Sequence, residues 1–397
     1  MSRPAQESGL NQRPTPKLPV SAPRGGPGSS RFRPGRTALA WIAGLAVFLT
    51  GCTGDADGPP TGSRPSTGSS TSVATGSTGT PAVVEQLDLG LQIPWAAVFL
   101  PDGTAVISER DSRLLKAVRD GRSTTIGEVP GVVPGGEGGL LGLALSPSFG
   151  SDRFLYFYFT AERDNRIARA VLTEDSDGEL AIGPPEVIFT GIPKASTHNG
   201  GRIRFGPDGL LYVGTGDSQR REQPQDQNAL GGKILRLTPE GRPAPGNPFG
   251  NAVYSLGHRN VQGLAWDSAG RLWASEFGPD VNDELNLILP GANYGWPQVT
   301  GAPHRDEFRD AKVVWPSTAE SSPSGLEIVG STAYLGALRG QRLWTVPLDG
   351  EEAGNPVAYF TREYGRIRDV IQAPDGRFWL LTNNENPDFV LVFAPSG

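Results

Sequence analysis

At 397 residues the chain is long enough to bury a large core, and by length alone it could hold two or three domains. A formal net charge of -6, with both signs scattered and no Lys/Arg block, argues against a nucleic-acid partner. With 54 Gly and 36 Pro against a single Met, the composition suits an all-β chain with many tight turns and disfavours a helical one.

Residues 1–51 read as a lipoprotein signal peptide. Arg31, Arg33 and Arg36 precede an apolar run over 37–50, which is short for a membrane-crossing helix and has the length of a signal-peptide h-region. The run ends Leu49-Thr50-Gly51-Cys52, which resembles the lipobox of bacterial lipoproteins. That implies cleavage before Cys52, lipidation of its thiol and new amino terminus, and a protein held outside the cytoplasm on the cell membrane by its lipids alone. An ordinary signal peptide with an incidental Cys is the alternative, but a lone exposed thiol outside the cell is a liability. Because Cys52 is the only cysteine, no intrachain disulfide can form. The stretch before Arg31 exceeds a usual n-region and points to a start codon further downstream. Residues 52–82 hold Cys52 and then Gly, Ser, Thr and Pro with almost nothing apolar, so a flexible tether is expected there and a folded domain over 83–397.

Within that domain one pattern recurs: an apolar run, a turn of Pro, Asp and Gly, and a second apolar run. It covers 95–100 and 104–108 around Pro101-Asp102-Gly103, then 140–145 and 154–159 around a longer loop, then 202–205 and 210–214 around Gly206-Pro207-Asp208-Gly209. It returns over 261–266 and 271–275, more weakly over 325–328, 331–335 and 342–347, and finally over 368–372 and 377–382. The copies lie roughly 45 to 65 residues apart, the period of a propeller blade with its loops, and no sustained helical periodicity competes. Six copies predict an all-β, six-bladed β-propeller of four-stranded antiparallel blades. Strand-like runs over 84–89 and 389–393 are placed to close the ring within one blade. A β-sandwich is the alternative, and it accommodates six repeats of one hairpin poorly.

A tight four-residue turn fixes which residues face each other across a hairpin. Pairing symmetrically about Gly206 to Gly209 sets His198 opposite Asp217. An imidazole with a carboxylate on its ring N–H has a fixed tautomer and raised basicity, the makings of a general base; a structural pair capping a loop is the other reading. The same construction sets Arg259-Asn260 beside Gly278-Pro279, Arg366 opposite Asn383 and Arg368 opposite Leu381. Glu137 precedes its strand in the same way. If all blades share one orientation, these residues converge on one mouth of the central channel, where a ring of arginines calls for an anionic ligand.

These segments are similar to those of the soluble PQQ-dependent glucose/sorbosone (aldose sugar) dehydrogenase family. The resemblance rests on Gly136-Glu137-Gly138-Gly139-Leu140-Leu141-Gly142, His198-Asn199-Gly200-Gly201-Arg202, Gly257-His258-Arg259-Asn260, Glu276-Phe277-Gly278-Pro279 with Asp283-Glu284-Leu285-Asn286, Asn293-Tyr294-Gly295-Trp296-Pro297 and Arg366-Ile367-Arg368-Asp369. They run in family order across nearly all of 83–397. The resemblance implies a six-bladed propeller that oxidises aldoses at the anomeric carbon with PQQ and calcium. It implies that His198 is the catalytic base, that Asp217 orients it, and that Arg259 and Asn260 meet the quinone end of PQQ. It implies that Arg366 and Arg368 clamp PQQ carboxylates, that carbonyls of Gly278 and Pro279 ligate Ca²⁺, and that Glu284 and the Tyr294 carbonyl serve a second Ca²⁺. Two positions depart from the family pattern: Glu137 replaces a glutamine near the cofactor, and Arg339 stands for a lysine that helps hold it. His258 is expected to be structural, and His304 matches no motif.

Three functions compete at this point. The leading one is an aldose dehydrogenase that passes electrons to an unknown acceptor. A non-catalytic carbohydrate- or protein-binding propeller would have no need of His198, Asp217 and the arginine set together. A lactonase would want several carboxylates on a central metal; Glu137, Asp217 and Glu284 fit the PQQ pattern better.

Overall fold

A computed structural model describes residues 81–394. The expected signal peptide, Cys52 and the tether as far as residue 80 lie outside the described residues.

The chain forms a six-bladed β-propeller of four-stranded antiparallel blades. Each blade is a meander, as in the first: Pro94–Phe99, Ala105–Glu109, Leu114–Arg119 and Arg122–Glu128. The six innermost strands are Pro94–Phe99, Leu140–Leu145, Ile203–Phe205, Val261–Trp266, Pro323–Val329 and Ile367–Gln372. Each packs against the next and the last against the first, which closes a ring around a central channel. The sixth blade is completed from both ends of the described residues. Its outer strand is Ala82–Leu87, paired with Val390–Ala394 from Ala82 opposite Ala394 to Leu87 opposite Val390. Two blades carry a fifth short strand: Leu180–Ile182 beside Asn165–Glu174 in the second, and in the fifth both Glu352–Ala353 and Val357–Tyr359 pair with Arg342–Asp349 along different stretches.

Inner strands are covered on both faces, which is why they read as nearly continuous apolar runs such as Leu140–Leu145. Large residues fill the gaps between blades. Tyr334 of the fifth blade meets Phe378 of the sixth at 4.5 Å between ring centres, and Phe378 stacks on Phe393 at 4.8 Å. Trp315 and Trp344 join the fourth blade to the fifth at 5.8 Å.

The hairpins correct the expected register by one residue. The Gly206 N–H donates to the Leu210 carbonyl and the Gly209 N–H to that of Gly206, so the loop has three residues, with Gly209 at φ +73°. This is a type I turn followed by a left-handed glycine, a geometry that suits Gly because it has no Cβ. It recurs at Gly103, Gly270 and Gly376, whose φ values are +88°, +77° and +85°. Phe205 therefore pairs with Leu211 instead of Leu210. A second irregularity cancels the error further along. In five blades the inner strand gains one residue near its start, and in three of them the register singles out which: Trp95, Gln262 or Arg368. Beyond the bulge the expected partners return: the Asn383 N–H bonds the Arg366 carbonyl at 2.8 Å. Arg368 is the exception. It is itself the bulged residue, and Leu381 pairs with Asp369.

Candidate active site

Where these inner strands begin, a cavity of about 280 Å³ opens on the channel axis. His198, Arg259, Arg366, Arg368, Arg339, Glu137, Gly278 and Pro279 all line it. The three bulged residues line it too, because a bulge re-aims its side chain out of the ladder. Trp95 and Gln262 were missed at the sequence level for that reason: nothing in the residue pattern marks where a ladder gains a residue. Arg110, another wall residue, was also missed; its guanidinium is held by its neighbour Asp111 at 2.6 Å.

His198 projects into the cavity from a segment of unusual backbone, with φ of +58° at His198 itself and +65° at Gly200. Two residues hold it there. Glu137 accepts the His198 N–H on Oε2 at 2.6 Å while its own N–H donates to the Ser196 carbonyl at 2.8 Å. Asp217 takes the ring: His198 Nδ1 lies 2.7 Å from Asp217 Oδ1. The dyad thus forms between hairpin arms as expected, although the ladder beside it is offset. Asp217 is only 1% exposed. Burial pushes its carboxyl up, but hydrogen bonds from His198, the Gln219 N–H and the Trp296 indole together hold it below the usual range. An ionised Asp217 fixes the imidazole proton on Nδ1, which leaves Nε2 as the basic nitrogen.

The cationic wall is underpaired. Arg368 is 6% exposed and bonds only neutral oxygens: Gln262 Oε1 at 3.1 Å, Ser324 Oγ at 3.3 Å and Asn383 Oδ1 at 3.1 Å. Burial, with Arg366 and Arg110 nearby, lowers it to about 9. Arg366 and Arg259 are lowered as well, chiefly by burial. Arg259 Nη1 donates to the Phe277 carbonyl at 3.2 Å, and the Nε atoms of Arg259 and Arg368 are buried without a partner among the described residues. Arg339 reaches Thr318 at 3.1 Å. Asn260 does not reach the cavity wall. It is fully buried behind it, accepting the Gly200 N–H at 3.0 Å, and its Nδ2 has no partner.

Glu276 braces this wall from behind. Its Oε1 accepts the Arg259 N–H and, at 3.3 Å, the Asn260 N–H, while Oε2 meets His258 Nδ1 at 2.8 Å. Ser255 Oγ then bonds His258 Nε2 at 2.8 Å. This Ser–His–Glu chain has the order of a nucleophilic triad, but Ser255 and His258 are fully buried and away from the cavity, so its role is structural. His304 sits far out in solvent against Asp310 at 2.6 Å.

Gly278 and Pro279 line the cavity, with the Gly278 N–H tied to Asp283 Oδ1 at 2.8 Å. Burial lifts Asp283 to about 6. Glu284 and Tyr294 do not share the cavity. They border a separate small pocket with Glu276, where burial and the Glu276 charge raise Glu284 to about 8. No group of three or more His, Cys, Asp and Glu suited to a metal occurs among the described residues.

Comparison with known proteins gives the chain's family. A family model described as Glucose / Sorbosone dehydrogenase matches residues 91–391. The PQQ-bound form of aldose sugar dehydrogenase from Streptomyces coelicolor has a similar fold, with a TM-score of 0.76 and 49% identity over 80% of this chain and 98% of that one. Aldose sugar dehydrogenase YliI of Escherichia coli is 30% identical over 343 residues, 78% of this chain and 92% of its own. Quinoprotein glucose dehydrogenase B of Acinetobacter calcoaceticus is 32% identical over 269 residues, 58% of this chain and 55% of its own. The chain belongs to the soluble PQQ-dependent glucose/sorbosone dehydrogenase family of oxidoreductases.

Proposed function

We propose that this protein oxidises aldose sugars at the anomeric carbon to lactones, with PQQ and Ca²⁺ in the cavity. The observation that carries the reading is an imidazole base, held by a buried carboxylate, facing a wall of arginines that lack carboxylate partners. Both groups suit these residues. The unpaired Nε atoms of Arg259 and Arg368 mark donors built for an anion, and a planar tricarboxylate matches arginine's bidentate geometry. Gly278 and Pro279 offer carbonyl oxygens, the hard donors that Ca²⁺ takes, with the remaining ligands to come from cofactor and water. When bound, the quinone supplies the two-electron acceptor and the ion polarises it.

The chain's own residues do the rest. Nε2 of His198 takes the proton of the anomeric hydroxyl, and Asp217 stabilises the imidazolium that results. Arg259, on the cavity wall, would supply positive charge to stabilise a reduced acceptor held there, which is electrostatic stabilisation in a preorganised site. Arg366, Arg368 and Arg339 grip carboxylates, while Asn260, one layer back, holds the Gly200 backbone. Trp95 and Gln262 complete the floor. The Glu284–Tyr294 pocket would take a second, structural Ca²⁺. We also read Cys52 as the site of a lipid anchor outside the cytoplasm: metabolic labelling with palmitate should mark the wild type and not Cys52→Ser.

The deciding experiment reconstitutes purified protein with PQQ and Ca²⁺ and follows dye reduction over an aldose panel. Reduction with at least one aldose supports the reading. No PQQ-like absorbance and no turnover on any sugar would hand the fold to the binding-only function.

A further inference from the structure

We propose that Trp296 is a positioning residue, whose indole N–H locks the carboxylate of Asp217 and whose ring face seats the guanidinium of Arg259, so that base and cation share one support. The proposal rests on reading His198 as the base.

Two contacts of this side chain tie the base to the cation. Its Nε1–H donates to Asp217 Oδ2 at 2.8 Å, in a buried setting. Asp217 Oδ1 is already shared by His198 Nδ1 and the Gln219 N–H, at 2.7 and 2.8 Å. The indole therefore completes a carboxylate that has no freedom left to rotate. Across the ring, the Arg259 guanidinium carbon stands 5.4 Å from the centroid, within cation–π range. That contact matters because Arg259 has only one hydrogen bond from its guanidinium and a buried Nε with none.

The indole is in turn welded to the segment that carries Arg259. The Trp296 N–H donates to the Gly257 carbonyl at 2.9 Å, and its carbonyl accepts Gln225 Nε2 at 2.7 Å. Gly257, at φ +79°, lies so close to the turn ending in Trp296 that a Cβ there would run into Asn293, Tyr294 and Gly295. Trp296 is thus the joint between the hairpin that supplies the base and the one that supplies the cation. Without the N–H, Asp217 Oδ2 is buried and unsatisfied, and the carboxylate can turn away from His198. The imidazole then loses the partner that keeps its proton on Nδ1.

Trp296→Phe keeps an aromatic ring and removes the donor. The full chain has three histidines, so ¹⁵N-histidine spectra of cofactor-free protein resolve them readily. Wild type should show His198 as a single Nδ1–H tautomer, and Trp296→Phe a mixture. In reconstituted enzyme the variant should lose about tenfold to a hundredfold in kcat with little change in KM. Arg221, exposed and also 4.7 Å from this ring, lies outside the cavity wall, so Arg221→Ala should alter neither readout. A tautomer that survives Trp296→Phe, or that Arg221→Ala disturbs as much, overturns the proposal. If Trp296→Phe fails to fold, the wild-type indole proton decides: a downfield, slowly exchanging resonance that moves upfield in Asp217→Asn supports the lock, and a freely exchanging one overturns it. A tautomer change in a protein that oxidises no sugar would sink the dehydrogenase reading and leave the role of Trp296 standing.

Discussion

The two ends of the central channel use the same six strands and treat charge in opposite ways. At the end where the inner strands begin, Arg259, Arg366 and Arg368 face a cavity without a carboxylate ion partner among the described residues. At the other end, a second cavity of about 380 Å³ is bordered by Arg202, paired with Asp369 at 3.1 Å, and by Arg204, paired with both oxygens of Glu327 at 3.0 and 2.7 Å. Bulges at Trp95, Gln262 and Arg368 mark the border between the two regimes. Burying a cation is costly unless its charge is met. One end meets it internally and acts as structure; the other leaves it for something that binds.

The largest expected effect falls on the unmet end. His198→Ala should lower turnover by about 10²- to 10⁴-fold, while PQQ titration by absorbance gives nearly the wild-type affinity. Undiminished turnover would remove His198 from the chemistry. Next, Arg368→Met should weaken PQQ binding by at least about tenfold, since a charged hydrogen-bond donor is lost. The same change should raise the melting temperature of the cofactor-free protein, because an unpaired buried charge disappears. A fall in that temperature would mean that Arg368 is structural after all.

The paired end should answer in reverse. Arg204→Met strands Glu327, which burial already pushes up, and should cost about 1.5–3 kcal/mol in urea unfolding without moving PQQ affinity. The double change Arg204→Met/Glu327→Met should regain most of that loss. The smallest effect concerns acid. Asp217 is held below its usual range, so it contributes stability above the unfolded value near 3.8, and that contribution fades as pH falls through its folded value. Asp217→Asn should therefore flatten the loss of stability below about pH 4, as read by chemical denaturation at stepped pH.

How much of this the residues announced differs by scale. The blades were legible because Pro-Asp-Gly turns and apolar runs repeat, and the ring closure was legible because both chain ends are strand-like. His198 and Asp217 were brought together on a register that was one residue wrong. The left-handed glycine of the turn adds a residue, the bonds of Gly214 to both Gly201 and Arg202 absorb it just before the strand, and neither has a mark in the composition of the runs. Arg368 fell where the compensation happens, so its partner was misplaced. Trp296 stood inside a recognised motif, yet its contact with Asp217 spans separate hairpins and depends on ring orientation, which spacing alone does not encode.

The pairing of Ala82–Leu87 with Val390–Ala394 has a consequence for biogenesis. The first strand of the propeller to leave the ribosome must wait, unmatched, for the strand that closes it. Until then it is a bare sheet edge, open to the wrong neighbour. The circle is thus sealed only after all the other blades have been made. A chain stopped before Val390 should lose the whole clasp, not just its tip, and become prone to self-association.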